Sequence, residues 1–412
     1  MQMKVDNYIL EKSIGEGAFG EVFITKVAGD DKTIYATKKL DRPTIDQSEA
    51  KKYLENEIKI LRYLNHPNIV KYKDLKKSKN HYFVIMEYCN GGELKKALQK
   101  YIEKYDQPFP EEIVQHFMRQ IIDAFNYIHA RKIIHRDVKL ANILLNYENE
   151  EDKKNLNLMK AQVKIIDFGF SCFVGPNGLK YTTLGTPLNM DPILLRKLKN
   201  KNRKNAQLGY NESADIWSIG TICYEMLMGY LPFDADDLTN LYQKIEDGSY
   251  KIPTNMSYEI VSFLNGMLQY NSQKRLTASQ LIRHDFLTKD VKDFKKINLE
   301  KISGKVTGDM IDINAIHNST IWSIFNKENE SLLSTINGNE FIKPKDEKEK
   351  MEFSKQNENE NLLKLPSKGI PGNPTDEKVF GMTQAELDKI GKESNQNVKE
   401  TNYTFDGSIF DF

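Results

Sequence analysis

The chain has 412 residues, too many for one compact core, and allows two or three domains. Its residues are 39% hydrophobic and 28% charged, with a formal net charge of +1. Because no basic tract is interleaved with aromatic residues, nucleic-acid binding is not expected. No run of about 18 uncharged apolar residues occurs, so no transmembrane segment is expected. The three cysteines lie far apart and outside any C-x-x-C spacing, which argues against a disulfide framework and for a reducing, cytoplasmic location.

A glycine-rich segment near the N-terminus links two strand-like runs. It follows the pattern G-x-G-x-x-G-x-V, with Gly15, Gly17, Gly20 and Val22 at the fixed positions. Glycines at this spacing let backbone N–H groups approach phosphates, and Val22 is left to cover a flat apolar base. The pattern alone is weak evidence for phosphate binding, and a Gly-rich hairpin turn is the alternative. A dinucleotide-binding motif is disfavoured, because residues 21–27 form a strand pattern where that motif needs a helix.

The next strand, predicted over residues 34–40, places Ala36 and Lys38 on one face. A small residue there makes room for a base, while an ammonium group reaches phosphate oxygens. Helical periodicity follows over residues 49–64, with Glu57 beside the apolar face. A carboxylate at that point could reach Lys38 and orient it. Spacing alone nevertheless favours a solvated position for Glu57.

The segment from Ile133 to Leu145 places a polar run between two apolar runs. Its apolar flanks predict strand residues that hold the polar side chains on a rigid base. Asp137 and Asn142 lie five residues apart, so a carboxylate can accept a proton while an amide oxygen ligates a metal ion. Lys139 lies between them and can neutralise charge. A charged surface turn is an equally good interpretation of the His-Arg-Asp triplet alone.

Two helices and a polar tail complete the predicted elements. Helical periodicity covers residues 111–129, and residues 213–233 form an apolar run expected to be a buried central helix. Asp215 at the start of that helix is expected to cap backbone donors.

Residues 290–412 contain 17 Lys and no Arg against 22 Asp and Glu, with scattered apolar clusters. Such a composition cannot bury enough apolar surface to offset chain entropy, so most of this tail is expected to be disordered.

Taken together, these segments resemble the eukaryotic protein-kinase domain over roughly residues 6–289. The motifs that carry the resemblance are the Gly-rich segment, Ala36-x-Lys38, Glu57, His135-Arg136-Asp137, Asn142, Asp167-Phe168-Gly169 and Asp215-x-Trp217-Ser218-x-Gly220. The resemblance implies an α+β, bilobal fold with a small antiparallel β-sheet N-lobe, carrying one helix, and a larger, mainly helical C-lobe. The implied boundaries are 1–86 for the N-lobe, 87–93 for the hinge, 94–289 for the C-lobe and 290–412 for a mostly disordered regulatory tail.

The resemblance also implies ATP and Mg²⁺ as cofactors and assigns roles to individual residues. Lys38 would bind the α/β-phosphates and pair with Glu57, while Asp137 would orient the substrate hydroxyl, with Lys139 beside it. Asn142 and Asp167 would hold Mg²⁺. The implied nucleotide-binding positions are Gly15, Gly17, Gly20, Val22, Ala36, Lys38, Glu87, Cys89, Glu93 and Leu144.

Finer features resemble the serine/threonine class. They are Lys139, two residues after Asp137, and Thr186 within Gly185-Thr186-Pro187. The segments most similar to ULK-type, autophagy-initiating kinases are 89–93, 167–171 and 185–188. Thr183, with Thr182 as second choice, is the expected activation-loop phosphorylation site, and the expected partners are protein substrates and regulators that bind the tail. The alternative interpretation is a pseudokinase scaffold that binds partners through the same fold.

The chain departs from the kinase pattern at the end of the activation segment. Most kinases have Ala-Pro-Glu there, whose Glu pairs with a buried Arg, but this chain has Asp191-Pro192-Ile193 and keeps Arg275. An unpaired buried guanidinium is costly. Asp191 is therefore expected to supply the missing carboxylate. The alternative is a partly solvated Arg275.

Overall fold

A computed structural model describes residues 3–17, 20–48, 50–169, 171–173, 187–192, 195, 211–235, 237–297, 306–307, 309–313, 378–379 and 382–383. The chain divides into two compact units, and the first contains every element up to residue 313.

A six-stranded antiparallel sheet, in the order β1-β2-β3-β4-β6-β5, forms the N-terminal lobe of this unit. Its strands are β1 (Met3–Val5), β2 (Tyr8–Gly17), β3 (Gly20–Val27), β4 (Asp30–Asp41), β5 (Tyr72–Lys77) and β6 (His81–Glu87). A short helix α1 (Arg42–Asp46) leads into α2 (Ala50–Tyr63). Leu54 and Ile58 of α2 pack with Leu40, Tyr82 and Val84 of the sheet. This packing fixes α2 beside β4 and confirms the helix predicted over residues 49–64.

The larger lobe is mainly helical and contains most of the hydrophobic core. Its helices are α3 (Leu94–Tyr105), α4 (Glu111–Ala130), α5 (Glu150–Lys154), α6 (Glu212–Met228), α7 (Leu238–Asp247), α8 (Tyr258–Met267), α9 (Ala278–Leu281) and α10 (Asp285–Thr288). Short strands lie where the two lobes meet: β7 (Gly92–Glu93), β8 (Ile133–Ile134), β9 (Ile143–Asn146), β10 (Gln162–Ile165) and β11 (Cys172–Phe173). Strands β7, β9 and β10 form one sheet and β8 pairs with β11, so the segment between β8 and β9 is held at both ends.

Helix α6 is buried over nearly its whole length, including Trp217 and Cys223 at 1% and 0% exposure. A helix that is apolar all round belongs inside a core, as predicted. Two details differ from the prediction. The helix begins after Asn211, whose side chain accepts a hydrogen bond from Ser213 N (3.1 Å), so Asn211 and not Asp215 is the N-cap. It ends at Gly229, whose left-handed backbone (φ 79°) stops it before Phe233.

The packed structure continues past residue 289. Strands β12 (Lys251–Pro253), β13 (Val306–Thr307) and β14 (Met310–Asp312) form a sheet in which β14 is central. Ile311 and Ile313 are 0% and 1% exposed. The first residues of the predicted tail are thus part of the lower lobe.

In the second unit, the described residues form one antiparallel hairpin of β15 (Lys378–Val379) and β16 (Met382–Thr383). Across the described parts of the chain, no helix combines the length and apolar character needed to cross a membrane.

Candidate active site

Lys38, Glu57 and Asp167 form a charged cluster between the two lobes. The charge of Glu57 raises the pKa of Lys38 against the opposing effect of burial, and Asp167 adds to the increase. Burial raises the pKa of Glu57, which is 7% exposed, and Lys38 counteracts this effect. The predicted salt-bridge partner of Lys38 is therefore a buried residue of α2, not a solvated one.

Gly169 lies against both carboxylates of this cluster. A Cβ atom at Gly169 would lie 3.4 Å from Asp167 Oδ1 and 3.6 Å from Glu57 Oε2. Asp167 itself has a left-handed backbone (φ 64°), which is strained for a non-glycine residue and typical of functional sites. The next residue, Phe168, is fully buried and makes an edge contact with the His135 ring (centroids 4.8 Å apart). The segment is thus held between α2 and the loop that contains His135.

Asp137 is the centre of a second polar cluster, in the segment between β8 and β9. Its Oδ2 atom accepts hydrogen bonds from Lys139 Nζ (2.7 Å) and Asn142 Nδ2 (2.8 Å). Asn142 Nδ2 also donates to the Asp137 carbonyl oxygen (2.8 Å). Both amide hydrogens of Asn142 are therefore directed at Asp137, and the amide oxygen is the atom left to bind a cation. Asp137 is only 4% exposed, so its carboxylate is held in one orientation.

The buried carboxylate of Asp215 supports this loop from below. It accepts hydrogen bonds from the backbone N–H groups of His135 and Arg136 and from His129 Nε2, each at 2.9 Å. Burial opposes ionisation, but the hydrogen bond and charge of His129 and the contacts of His135 outweigh it, so the pKa of Asp215 lies below its ordinary value. Arg136 adopts φ 71°, and Asp215 holds this strained backbone in place. Asp215 therefore supports the backbone of the loop that precedes Asp137.

At the start of the predicted hinge, the Glu87 side chain pairs with Lys164 Nζ (2.7 Å) and accepts a hydrogen bond from Lys71 N (3.1 Å). Lys164 lies on β10 and is 3% exposed, and sequence analysis missed it. The sequence contained one sign of its role, because Lys164 is a charged residue inside the apolar run Val163 to Ile166.

Among the described residues, no hydrogen bond engages the backbone N–H or C=O of Cys89, which leaves both groups for a ligand.

Asn56 is a second residue that sequence analysis missed. It precedes Glu57 on α2, and its Nδ2 atom donates to the Ser171 carbonyl oxygen (2.5 Å). Ser171 Oγ in turn donates to the His135 carbonyl oxygen (3.3 Å). This chain of bonds ties α2 to the residues after Gly169 and to the loop of Asp137. No local pattern in the sequence signals it, because the partners are 115 positions apart.

The family model for the protein kinase domain matches residues 8–287, more than half of the chain. The chain belongs to the protein kinase family. Three relatives show the range of similarity. The probable serine/threonine-protein kinase MARK-A of Dictyostelium discoideum is 31% identical over 70% of this chain and 24% of its own length. Calcium/calmodulin-dependent protein kinase type 1 of Macrobrachium nipponense is 32% identical over 69% and 75%. CBL-interacting serine/threonine-protein kinase 3 of Arabidopsis thaliana is 29% identical over 83% and 71%. The match thus covers 24% to 75% of the length of these proteins.

The remaining predicted nucleotide-binding positions of this kinase lie on the facing strands of the two lobes. Val22 opposes Lys38 across β3 and β4, and Leu144 opposes Glu93 across β9 and β7. Glu93, one of the predicted nucleotide-binding residues, pairs with Lys96 one turn along α3. Val22, Ala36 and Leu144 are half-buried, as expected for apolar side chains that line a cleft.

Gly20 has a packing reason for being glycine. A Cβ atom there would lie 1.9 Å from the Lys39 carbonyl oxygen. This contact is independent of any phosphate.

The predicted phosphorylation sites Thr182 and Thr183, and Thr186 of the serine/threonine-class motif, lie outside the described residues.

In this kinase, Arg275 pairs with Asp191 in the lower lobe, which confirms the pairing expected from the sequence. Arg275 also donates to the carbonyl oxygens of Ser213 (2.9 Å) and Gln269 (2.7 Å). Nearby, Asn189 donates to Thr221 Oγ1 (2.8 Å) and accepts from Ser218 Oγ at its carbonyl oxygen (2.7 Å). The residues before Ile193 are therefore anchored to α6.

Proposed function

We propose that this kinase transfers the γ-phosphate of ATP to serine and threonine hydroxyls of proteins. The observation that carries the proposal is the arrangement around Asp137, whose carboxylate is fixed by Lys139 and Asn142. In this role Asp137 accepts the proton of the attacking hydroxyl, while Lys139 offsets negative charge that develops on the phosphate. Lys38, supported by Glu57, positions the phosphates.

The donor atoms of the site fit Mg²⁺. The oxygen of Asn142 and the carboxylate of Asp167 are hard ligands of the kind that Mg²⁺ takes, completed by phosphate oxygens and water. Within the described residues, no group of three or more His, Cys, Asp or Glu side chains is placed to hold a metal ion. A cation shared with nucleotide phosphates needs only the two ligands named here. When bound, Mg²⁺ would neutralise charge on the phosphates.

Two observations support the serine/threonine class. Lys139 lies beside the hydroxyl-activating carboxylate, and relatives such as MARK-A and the CBL-interacting kinase carry serine/threonine kinase in their names. A ULK-type role in autophagy rests only on the three short segments compared above. The relatives named here belong to other groups of kinases, so the proposal at subfamily level stays a prediction.

Activation is proposed to follow phosphorylation of Thr183, with Thr182 as the second choice. A phosphate adds about 1.5–2 negative charges. Arg136, which directly precedes Asp137 in the chain, is the proposed cation that pairs with this phosphate. Phosphopeptide mapping of the active protein tests this proposal. Finding neither residue modified, or full activity in a Thr182→Ala, Thr183→Ala double variant, would exclude it.

A pseudokinase scaffold is the alternative function. A scaffold has no need for Lys38, Glu57, Asp137, Asn142 and Asp167 together, and the structure brings them into two compact clusters. The deciding experiment incubates the full chain with Mg²⁺, ATP and a peptide array that offers Ser, Thr or Tyr in matched sequences. Phosphate on Ser and Thr peptides, and none with Asp137→Asn protein, is expected. Transfer to Tyr peptides alone would overturn the class, and no transfer by wild-type protein would favour the scaffold.

A further inference from the structure

The chain covers one edge of its own lower lobe with a strand that follows the kinase domain. Strand β14 pairs with β12 in antiparallel register, with Ile311 opposite Ile252 and Asp312 opposite Lys251. Two backbone bonds flank the pair: Thr254 N donates to Asp309 O (2.8 Å) and Ile313 N donates to Tyr250 O (3.0 Å). Only three residues of β14 take part in the ladder. A ladder this short can open locally without unfolding of the whole lobe.

One side-chain bond joins the two partners at the end of this ladder. Ser249 Oγ donates to Asp312 Oδ2 at 2.5 Å. Ser249 follows Gly248, the left-handed residue that ends α7, and directly precedes Tyr250, whose carbonyl oxygen receives Ile313 N. Ser249 and Asp312 are both half-buried, whereas Ile311 and Ile313 beside them are buried. The hydroxyl therefore lies at the rim of the docked strand.

A phosphate on Ser249 would change this contact in three ways. The hydroxyl hydrogen that Asp312 accepts would be lost, the added atoms would not fit within a 2.5 Å contact, and two anions would face one another. Asp247, exposed and two residues earlier, adds a further negative charge on the same segment. Lys251 is the nearest cation along the strand and can offset only part of about two negative charges.

We propose that Ser249 is a phosphorylation site and that its modification releases β14 from β12. The phosphate comes from ATP through a protein kinase acting on the transiently undocked segment. The Ser249 Oγ–phosphorus bond forms, the bond from the γ-phosphorus to the bridging oxygen breaks, ADP leaves, and the hydroxyl proton passes to the modifying kinase's carboxylate. Once β14 is released, the backbone groups of β12 beside Ile252 lose their ladder partners.

Hydrogen–deuterium exchange of the full chain tests the proposal directly. The samples are protein with phosphoserine placed at position 249 by codon suppression, unmodified protein, and the Ser249→Ala variant. We expect amide exchange at Thr254 and Ile313 to be at least ~10-fold faster in the phosphorylated protein, because both bonds break when the strand leaves. Ser249→Ala loses the hydrogen bond but gains no charge, so its exchange should rise far less. Phosphatase treatment should restore the unmodified pattern.

Two outcomes of this experiment would overturn the proposal. One is unchanged exchange at Thr254 and Ile313 in the phosphorylated protein. The other is equally accelerated exchange in α6, since the phosphate would then unfold the lobe instead of releasing the strand. Mass spectrometry of the chain from its own cells tests the modification itself. Phosphate on Ser249 supports it, and a peptide that is observed under all growth conditions but never phosphorylated overturns it. Neither readout depends on the catalytic activity of this chain.

Discussion

The Arg275 guanidinium and the Asp191 carboxylate form an ion pair inside the lower lobe, with 0% and 4% of their side chains exposed. Burial lowers the pKa of Arg275, and the charge and hydrogen bond of Asp191 counteract that effect. The guanidinium also stacks over the Trp217 ring, with a distance of 4.9 Å from Cζ to the ring centroid. Asp191 thus anchors the end of the activation segment to α6, in the place where other kinases use a Glu two residues later.

Removing the Asp191 carboxylate should leave a buried positive charge without its counterion. We expect Asp191→Ala to lower the free energy of unfolding by about 1–3 kcal/mol, and by much less in an Arg275→Met background. Urea denaturation of the wild type, both single variants and the double variant measures the coupling. Equal losses in the two backgrounds would show that the pair contributes nothing to stability.

The hydrogen bond from Asn56 to Ser171 should hold α2 in the position that places Glu57 beside Lys38. Loss of one such bond corresponds to about 1 kcal/mol, so Asn56→Ala should lower kcat several-fold with little change in the affinity for peptide. Asn56→Leu removes the donor at similar side-chain size without adding a charge, and it should have the same effect on kcat. Asn65→Ala, an exposed change just beyond α2, is the matched control. Wild-type kcat in both Asn56 variants would assign this bond to packing alone.

How far the sequence predicts this structure depends on the distance between contacting residues. Periodicity located α2, α4 and the strand that carries Lys38, because burial of one face repeats along a short stretch. It could not locate the partners of Asn56 or Lys164, since these contacts join segments far apart in the chain. It also did not locate α5, a short helix of five charged residues. That helix buries no residue and is held by its own cap, Asn149, which accepts from Asp152 N (2.8 Å).

Glu57 shows the same limit within the site. Spacing places it beside the apolar face of α2 and favours solvent, yet it is buried. Only the assembled Asp-Phe-Gly segment, with Gly169 packed against the carboxylate, explains its burial. The resemblance to the kinase motif implies a contact between Glu57 and Lys38, which local periodicity cannot indicate, and in the structure the charge of Glu57 raises the pKa of Lys38.

The stability of the fold at acid pH should depend on His284, which is 3% exposed in the lower lobe. Its Nδ1 atom accepts from Phe286 N (3.1 Å), and its Nε2 atom contacts Ser262 Oγ (3.2 Å), an arrangement that suits the neutral ring. Burial lowers the pKa of His284 from 6.5 to about 4. As the pH falls below 6.5, the unfolded chain binds a proton that the folded chain does not. Stability therefore falls, by up to about 3 kcal/mol near pH 4.

The His284→Asn variant isolates this effect. Asn keeps a capping oxygen but does not titrate, so the variant should be less stable at pH 7 and should depend less on pH between 6.5 and 4. Urea midpoints at several pH values, compared between the variant and the wild type, provide the measurement. Parallel pH curves for the two proteins would contradict a depressed pKa at His284.

In the proposed function, Asp137 activates the acceptor hydroxyl for transfer of the ATP γ-phosphate. The most direct measurement is the turnover of the full chain with Mg²⁺, ATP and an acceptor peptide, in the wild type and in Asp137→Asn, together with the Mg²⁺-dependent binding of ATP by both. The Asn side chain keeps the size of Asp137 but cannot take the proton. We predict a loss of at least ~100-fold in kcat with nearly unchanged ATP binding. Equal turnover in the two proteins, or wild-type protein that binds ATP and never transfers phosphate, would exclude this role of Asp137.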